Sequence, residues 1–421
     1  MSLKAVRGVK DILPGEVELW EVVEAEARGV LKTFGFSELK IPIFENTSLF
    51  ARSIGETTDI VEKEMYTFED KGGESITLRP EATASVVRAY IEHKLFHPPR
   101  LLKVFTIGPM FRYERPQAGR FRQFHQINVE AFGSKNPAVD AEIILLVDTM
   151  LRRLKLQDLK VTLNSLGDAT CRPVYKKALT EFLSRRKGAL CEDCLRRIER
   201  NPMRVLDCKV AGCQEVKEAA PTVGEHLCQA CVEHFDAVQD RLRRAGVEVF
   251  VDPHLVRGLD YYTRTTFEVL SSSLGAQNAV CGGGRYDGLV EELGGPPTPA
   301  IGFAMGLERL ISLLDRKALD VDEGQPHVFV AVLGQEAEAE AFELMHRLRG
   351  ASIRVERDYE GRSLKAQMKV ANRTGAPYTL ILGEDELSRG MAVLRNMAAS
   401  EQEELPLGDL VASLKSRLGL S

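Results

Sequence analysis

In the segment FRYERPQAGRFRQFHQINVEAF, residues 111–132, four arginines (Arg112, Arg115, Arg120, Arg122) stand within 112–122 with a single acid, Glu114. Phe111, Tyr113, Phe121 and Phe124 are interleaved with them. Guanidinium groups clamp phosphate oxygens, and they stack on flat rings as aromatic side chains do. A carboxylate among them can accept from an exocyclic amine. Two strand-like halves flank Pro116 and Gly119, which reads as a hairpin with an irregular loop. A solvated basic hairpin is the plain alternative.

Four further segments carry polar groups in patterns that could serve a small ligand. In LRPEAT, residues 78–83, Glu81 and Thr83 fit a helix N-terminus, where capping alone would account for them. RGLDYYT, residues 257–263, places Arg257, Asp260, Tyr261 and Tyr262 in one short turn before a strand; Arg257 pairing with Asp260 to shape that turn is the alternative. CGGGRYDG, residues 281–288, sets three glycines before Arg285, Tyr286 and Asp287. Glycines permit close backbone approach, so these two segments either line a polar pocket or form a pair of tight turns. AIGFAMGLERL, residues 300–310, reads as a strand-to-helix junction with Arg309 projecting from the helix. Neither a phosphate-binding G-x-x-x-x-G-K-[ST] loop nor a G-x-G-x-x-G helix opening is present.

Eight cysteines are present, six of them as Cys191-x2-Cys194, Cys208, Cys213 and Cys228-x2-Cys231, with Cys171 and Cys281 apart. The opening MSLKAVRGVKDILPGE has no apolar core, so no secretory signal is expected. A cytoplasmic, reducing setting is expected instead, which disfavours disulfides. Paired Cys-x2-Cys units suit a tetrahedral thiolate site, making Cys191, Cys194, Cys228 and Cys231 the candidate ligands of a structural zinc. The gap from Cys194 to Cys228 is longer than in a common zinc ribbon, and the choice of four among six stays open. Free thiols in a helical segment are the alternative.

The elements that must position these groups can be read from pattern. Apolar spacing predicts helices over 16–33 and 140–154, and strands at 101–107, 126–132 and 160–163. From 172 to 245 charge, helix formers and cysteine dominate, as in a mostly helical insertion. Strand character returns at 247–252, at 265–270 and before Gly302. Beyond a polar stretch near 319–326, strands at 327–334, 353–358, 378–383 and 391–396 alternate with helices over 336–349, 363–373 and after Pro406, a compact α/β domain. The 421 residues have room for about three domains. With 44% hydrophobic and 28% charged residues, such a chain buries cores without covalent staples. Apolar runs such as 143–147 are far short of the ~20 residues of a membrane span, so no membrane partner is expected. A net charge of −5 leaves no bulk basic footprint, so nucleic-acid contact must come from local patches. One is 354–373, where Arg354, Arg357, Arg362, Lys365, Lys369 and Arg373 face three acids.

Taken in order, these segments resemble the class II aminoacyl-tRNA synthetases, and within them the histidyl-tRNA synthetase family, over nearly the whole chain. IPIFENTSLF around Pro42 is similar to motif 1, the dimer-forming element. FRYERPQAGRFRQFHQ is similar to motif 2 and GFAMGLERL to motif 3. RGLDYYT and GGGRYDG resemble two signatures particular to the histidine enzymes, and RGVKDILP resembles the family's opening. The resemblance implies an α+β catalytic domain on a six-stranded antiparallel sheet, split between 1–171 and 246–320. It further implies a helical insertion at 172–245, a C-terminal α/β anticodon-binding domain at 326–421, and a homodimer.

The implied reaction joins L-histidine and ATP, with Mg²⁺, to histidyl-adenylate and pyrophosphate, then charges a histidine-specific tRNA. By the same resemblance Arg112 holds the α-phosphate and Arg120 the terminal phosphates. Glu114 meets the adenine amine, while Phe124 and Arg309 sandwich the ring. Glu81, Thr83, Gln126 and Glu130 hold the substrate histidine, with Tyr261, Tyr262 and Tyr286 around its imidazole. Arg257 sits near the reacting α-phosphate. Many relatives carry other residues at the cysteine positions, so zinc is not implied. A regulatory subunit that binds histidine without charging tRNA and a sensor of uncharged tRNA share parts of the pattern. The intact signatures and the presence of 326–421 favour the enzyme.

Overall fold

The computed structural model describes residues 3–54, 58, 60–116, 119–274 and 279–420. The chain divides into two compact units, Met1–Val321 and Asp322–Ser421.

In the first unit the strand Gln123–Phe132 shows how sequence sets the faces of the main sheet. Alternate side chains point to opposite sides. Ile127, Val129 and Ala131 enter an apolar core, while Phe124, Gln126, Asn128 and Glu130 line a polar cavity. The sheet has eight strands, in the order Ser37–Glu38, Leu102–Phe111, Gln123–Phe132, Ala300–Gly306, Ala279–Arg285, Thr263–Ser271, Leu159–Ser165 and Val249–Val251. The six central strands pair antiparallel throughout. The two short edge strands join in parallel, so the sheet is mixed and two strands wider than the six-stranded expectation.

Gly282, Gly283 and Gly284, read from sequence as a turn or pocket lining, belong to the central strand Ala279–Arg285. Its backbone groups are paired on both sides, so no turn is needed to satisfy them.

Helix Val17–Thr33 buries Leu19, Trp20, Val23, Ala27, Val30 and Leu31, spaced by three and four. Helix Pro137–Arg153 shares the core with it. Asn136 caps that helix by accepting from the Ala138 N–H at 2.9 Å, and Arg152 and Arg153 complement its C-terminal dipole. Truncating the fully buried Ile144 to alanine would cost about 2–5 kcal/mol.

Residues 172–245 hold four α-helices, Arg172–Ser184, Glu192–Arg200, Ala211–Glu218 and Gln229–Arg244. These helices share cores with the sheet domain. Tyr175, Leu179 and Cys194 pack in one cluster with Tyr261, Tyr262 and Tyr286. Val238 and Leu242 pack with the strands and helices of the other. A buried ionic network ties the last helix down: Asp140 pairs with Arg285, and His234 Nε2 lies 3.0 Å from the same carboxylate. Removing one partner of such a network costs about 3–5 kcal/mol, because the other charge is left uncompensated.

The second unit is a five-stranded sheet in the order Val355–Arg357, Val328–Leu333, Tyr378–Gly383, Met391–Asn396 and Gln402–Pro406. The first three strands are parallel and the last two antiparallel. Helices Gln335–Gly350 and Leu410–Leu418 contribute to one core and Leu364–Thr374 to another. Among the described residues no helix is long and apolar enough to cross a membrane.

Candidate functional site

A cavity of about 580 Å³ in the first unit is lined by all thirteen residues to which the resemblance gives a part in holding histidine or ATP: Glu81, Thr83, Arg112, Glu114, Arg120, Phe124, Gln126, Glu130, Arg257, Tyr261, Tyr262, Tyr286 and Arg309. They differ sharply in how they are held.

One group is acidic, aromatic and buried. Helix Thr83–Glu92 begins beside it, and the Glu81 carboxylate accepts the N–H groups of Thr83 at 2.7 Å and Ala84 at 2.8 Å. Glu81 thus caps the helix and lines the cavity at once. Thr83 Oγ1 donates to Glu130 at 2.7 Å, and the Tyr286 hydroxyl donates to the other Glu130 oxygen. Burial pushes the Glu130 carboxyl up to about 8, and these two donors offset only part of that. Burial also raises Glu81, against the pull of its two backbone N–H groups. The Tyr261 ring lies 4.7 Å from Tyr262 and 5.6 Å from Tyr286. Burial raises all three phenols, which keeps them protonated at neutral pH. Gln126 Oε1 and Asn128 Oδ1 are buried with no hydrogen-bond partner among the described residues. Buried acceptors left so are uncommon in folded proteins and mark where a ligand's N–H would bind.

Two glycines make room for this arrangement. A Cβ at Gly302 would overlap the Glu130 carboxylate, and one at Gly282 would overlap the Arg257 guanidinium. Arg257 lies across Gly282 and pairs with Glu268, the residue opposite that glycine in the neighbouring strand. Burial opposes its charge, but the Glu268 carboxylate prevails and holds the guanidinium above its ordinary range. Asp260, the turn partner considered from sequence, instead accepts from Asn201 Nδ2 at 2.8 Å.

The other group is cationic. Arg112 Nε donates to the Pro80 carbonyl at 2.8 Å, and its guanidinium lies 5.3 Å from the Phe124 ring centre. Glu114 is 3.1 Å from Arg120 and 3.9 Å from Arg112. Arg309 donates to the carbonyls of Ala279 at 2.9 Å and Gly119 at 3.4 Å. Burial lowers the Arg309 guanidinium, and the neighbouring Arg120 charge adds to the effect. Converging guanidinium groups with one carboxylate between them suit a polyanion attached to an amine-bearing ring. Gln117 and Ala118 of the arginine-rich segment lie outside the described residues.

Several lining residues escaped the sequence reading: Asn128, Asp207, Lys209, Glu268 and Glu308. Glu268 left a signal, a lone acid in the apolar strand TTFEVL. Glu308, next to Arg309 in helix Leu307–Ser312, carried no assignment from sequence; its carboxylate accepts the His125 N–H at 2.9 Å. Asp207 and Lys209 left none, since the insertion shows no sign of reaching the cavity. Conversely, Arg285 and Asp287 do not line it. Successive residues of a strand face opposite ways, so Tyr286 enters the cavity while Arg285 is buried against Asp140.

The cysteine expectation needs correction as well. Cys191, Cys194, Cys228 and Cys231 do not form one quartet. Cys191 and Cys194 group with Cys208 and Cys213, whereas Cys228 and Cys231 group with Cys171 and Asp168. The two Cys-x2-Cys pairs head different helices, Glu192–Arg200 and Gln229–Arg244, and each meets its own neighbours.

In the second unit the basic stretch divides by partner. Arg354 pairs with Asp322, Arg357 with Glu338 and Arg362 with Asp358. Lys365, Lys369 and Arg373 are exposed, spaced by four along helix Leu364–Thr374, and without an acidic partner among the described residues. That spacing puts three cations on one helical face.

Comparison with known proteins agrees over almost the full length. Residues 8–310 match the family described as histidyl-tRNA synthetase, and residues 327–417 match an anticodon binding domain. The chain is 52% identical over 413 residues to a histidine–tRNA ligase of Desulforamulus reducens, covering 98% of each chain. It is 55% identical over 408 residues to one of Desulfatibacillum aliphaticivorans, covering 97% of each. A crystal structure of apo S. aureus histidyl-tRNA synthetase superposes with a TM-score of 0.84 at 37% identity, over 98% of this chain and 100% of that one.

Proposed function

The chain belongs to the histidyl-tRNA synthetase family, and we propose from that premise how its own residues do the work of a histidine–tRNA ligase. Such an enzyme joins histidine to ATP, giving histidyl-adenylate and pyrophosphate, and then passes the histidyl group to the 3′-terminal ribose hydroxyl of its tRNA. The observation that carries the reading is the division of one cavity into a buried carboxylate–tyrosine end and an arginine end, with Arg257 acting electrostatically on both.

Histidine binds at the buried end. Glu81, Thr83 and Gln126 hold its α-amino group, while Glu130 and the three tyrosines surround the imidazole. A site that satisfies both ring nitrogens rejects analogues lacking them by about 10⁴, because its own polar groups would be left unpaired. ATP binds at the arginine end. Glu114 accepts from the adenine amine, Phe124 and Arg309 stack on the ring, Arg112 holds the α-phosphate and Arg120 the terminal phosphates. When the carboxylate attacks, negative charge spreads over the α-phosphate oxygens, where Arg257 and Arg112 supply fixed positive charge. Mg²⁺, when bound with the nucleotide, would supply further positive charge at the phosphates held by Arg112 and Arg120. Among the described residues the cavity has no metal-binding cluster of its own, and Glu268 and Glu308 are engaged with Arg257 and His125.

Residues 326–421 bind the anticodon stem through the Lys365, Lys369 and Arg373 face, and 172–245 act as the insertion domain. We also infer a cytoplasmic homodimer. Exposed Ile43, Phe44 and Phe68 beside the motif 1 segment supply an apolar surface for the second copy.

ATP–pyrophosphate exchange with each of the twenty amino acids tests the reading: exchange should depend on histidine alone. A chain stopped after Val321 should keep that exchange and lose charging at limiting tRNA. Exchange with another amino acid, or undiminished charging by the shortened chain, would contradict it.

A further inference from the structure

Seven of the eight cysteines fall into two compact clusters, Cys191–Cys194–Cys208–Cys213 and Cys171–Cys228–Cys231, the second joined by Asp168. In each cluster four ligand atoms lie within 4.8 Å of one another. We propose that the chain holds two structural zinc ions, one in an all-cysteine site and one in a mixed site of three cysteines and Asp168, neither of them the quartet that the paired Cys-x2-Cys motifs advertise.

The distances match the metal. Four thiolates about 2.3 Å from a tetrahedral zinc stand about 3.8 Å from each other, and a carboxylate oxygen in the fourth place stands about 3.6 Å from the sulfurs. Cys191 Sγ and Cys208 Sγ are 3.8 Å apart, as are Cys171 Sγ and Cys231 Sγ. Asp168 Oδ1 is 3.5 Å from Cys171 Sγ and 3.8 Å from Cys228 Sγ.

The local backbone repeats between the sites. Cys191 and Cys228 are each the N-cap of a helix, with φ/ψ of −71/161° and −70/159°, and the second cysteine of each pair lies in the first turn. Backbone N–H groups point at two of the other sulfurs: Cys191 N–H donates to Cys213 Sγ at 3.3 Å, and Asp168 N–H to Cys171 Sγ at 3.2 Å. Such donors stabilise sulfur as thiolate and orient it for metal. Thiols used merely as small hydrophobes would have no reason to gather around the Asp168 carboxylate.

The two sites have different mechanical roles. Asp168 and Cys171 enter the insertion, and Cys228 and Cys231 leave it, so the mixed site pins its neck. The all-cysteine site closes the segment 191–213 on itself. Within that segment Asn201 bonds Asp260, Arg204 Nη1 donates to the Arg257 carbonyl at 3.2 Å, and Asp207 and Lys209, flanking Cys208, line the cavity. Loss of the zinc from the all-cysteine site should therefore loosen the loop that carries Arg257 and slow adenylate formation. This last consequence rests on the proposed function; the metal sites themselves do not.

The test is metal analysis of the full chain purified without chelator, with the zinc then released by a mercurial reagent that takes over its thiolates. About two zinc per chain are expected, falling to about one in Cys213→Ser and to about one in Cys231→Ser. A single-site quartet of the two pairs would instead leave Cys213→Ser with its metal and strip Cys231→Ser. To guard against misfolded variants, cobalt titration of the zinc-depleted wild-type chain should saturate at about two equivalents with thiolate-to-metal absorption. One equivalent or none, iron in place of zinc, or a folded protein with seven freely titrating thiols overturns the proposal. If metal content falls in Cys213→Ser without slowing adenylate formation, the zinc sites stand and only the coupling to the Arg257 loop is lost.

Discussion

The two ends of the cavity are built on opposite principles. At the histidine end the carboxylates and phenols are buried and cross-braced, with Gln126 and Asn128 left open to a ligand: Glu81 by two backbone N–H groups, Glu130 by Thr83 and Tyr286, and the tyrosine rings by each other. At the nucleotide end Arg120 is more than a third exposed, and the arginines lean on backbone carbonyls and on one shared acid, Glu114. Selecting one small amino acid needs positions fixed in advance, since discrimination comes from leaving the wrong ligand's partners unpaired. Gripping a flexible, highly charged triphosphate needs charge that can follow it. Rigidity is thus concentrated where specificity is required.

The largest effect should come from the residue that serves both ends. Arg257→His should slow single-turnover adenylate formation by about 10²–10³, as loss of a transition-state donor does, while barely changing transfer from preformed adenylate to tRNA. Equal small losses in both steps would reduce Arg257 to a loop-shaping role with Glu268.

Glu130→Gln should lower kcat/KM for histidine by about 10–100-fold, the cost of leaving a buried hydrogen-bonding group without its partner, with the KM for ATP unchanged. Parallel loss in both substrates would mean that the ends are not separable. Arg112→Lys keeps the charge but loses the planar fork and the Pro80 anchor, so the KM for ATP should rise about tenfold and histidine binding should hold.

The smallest effect is on stability. Glu130 is raised from 4.5 to about 8 in the folded chain, so the folded state holds its proton more tightly than the unfolded one. The stability this contributes is complete below pH 4.5 and is lost as pH rises through about 8. Between about pH 7 and 8.5 the ligand-free wild type should lose about 1 kcal/mol relative to Glu130→Gln, read from urea midpoints. Parallel pH profiles would mean that the carboxyl is already ionised at neutral pH.

Much of this was legible in the residues themselves. The strand-like pattern over 126–132 marked a central strand, and Leu19, Val22, Val23 and Val30, roughly on one side of a helix, marked a core helix, because such patterns are local consequences of backbone geometry. The ordered motifs supplied thirteen residues that the fold gathers around one cavity. What sequence could not decide depended on which distant segments meet. Spacing favoured joining the two Cys-x2-Cys pairs, yet helix packing sends each to a different neighbourhood. Asp260 is near Arg257 in sequence, but the guanidinium reaches Glu268 across an absent side chain at Gly282. Tyr286 and Arg285 are adjacent in the chain and lie on opposite faces of the sheet. Type and local period are carried by the chain alone; partnership is set by long-range packing, in which a missing Cβ or a one-residue step along a strand redirects a charge from the cavity to the core.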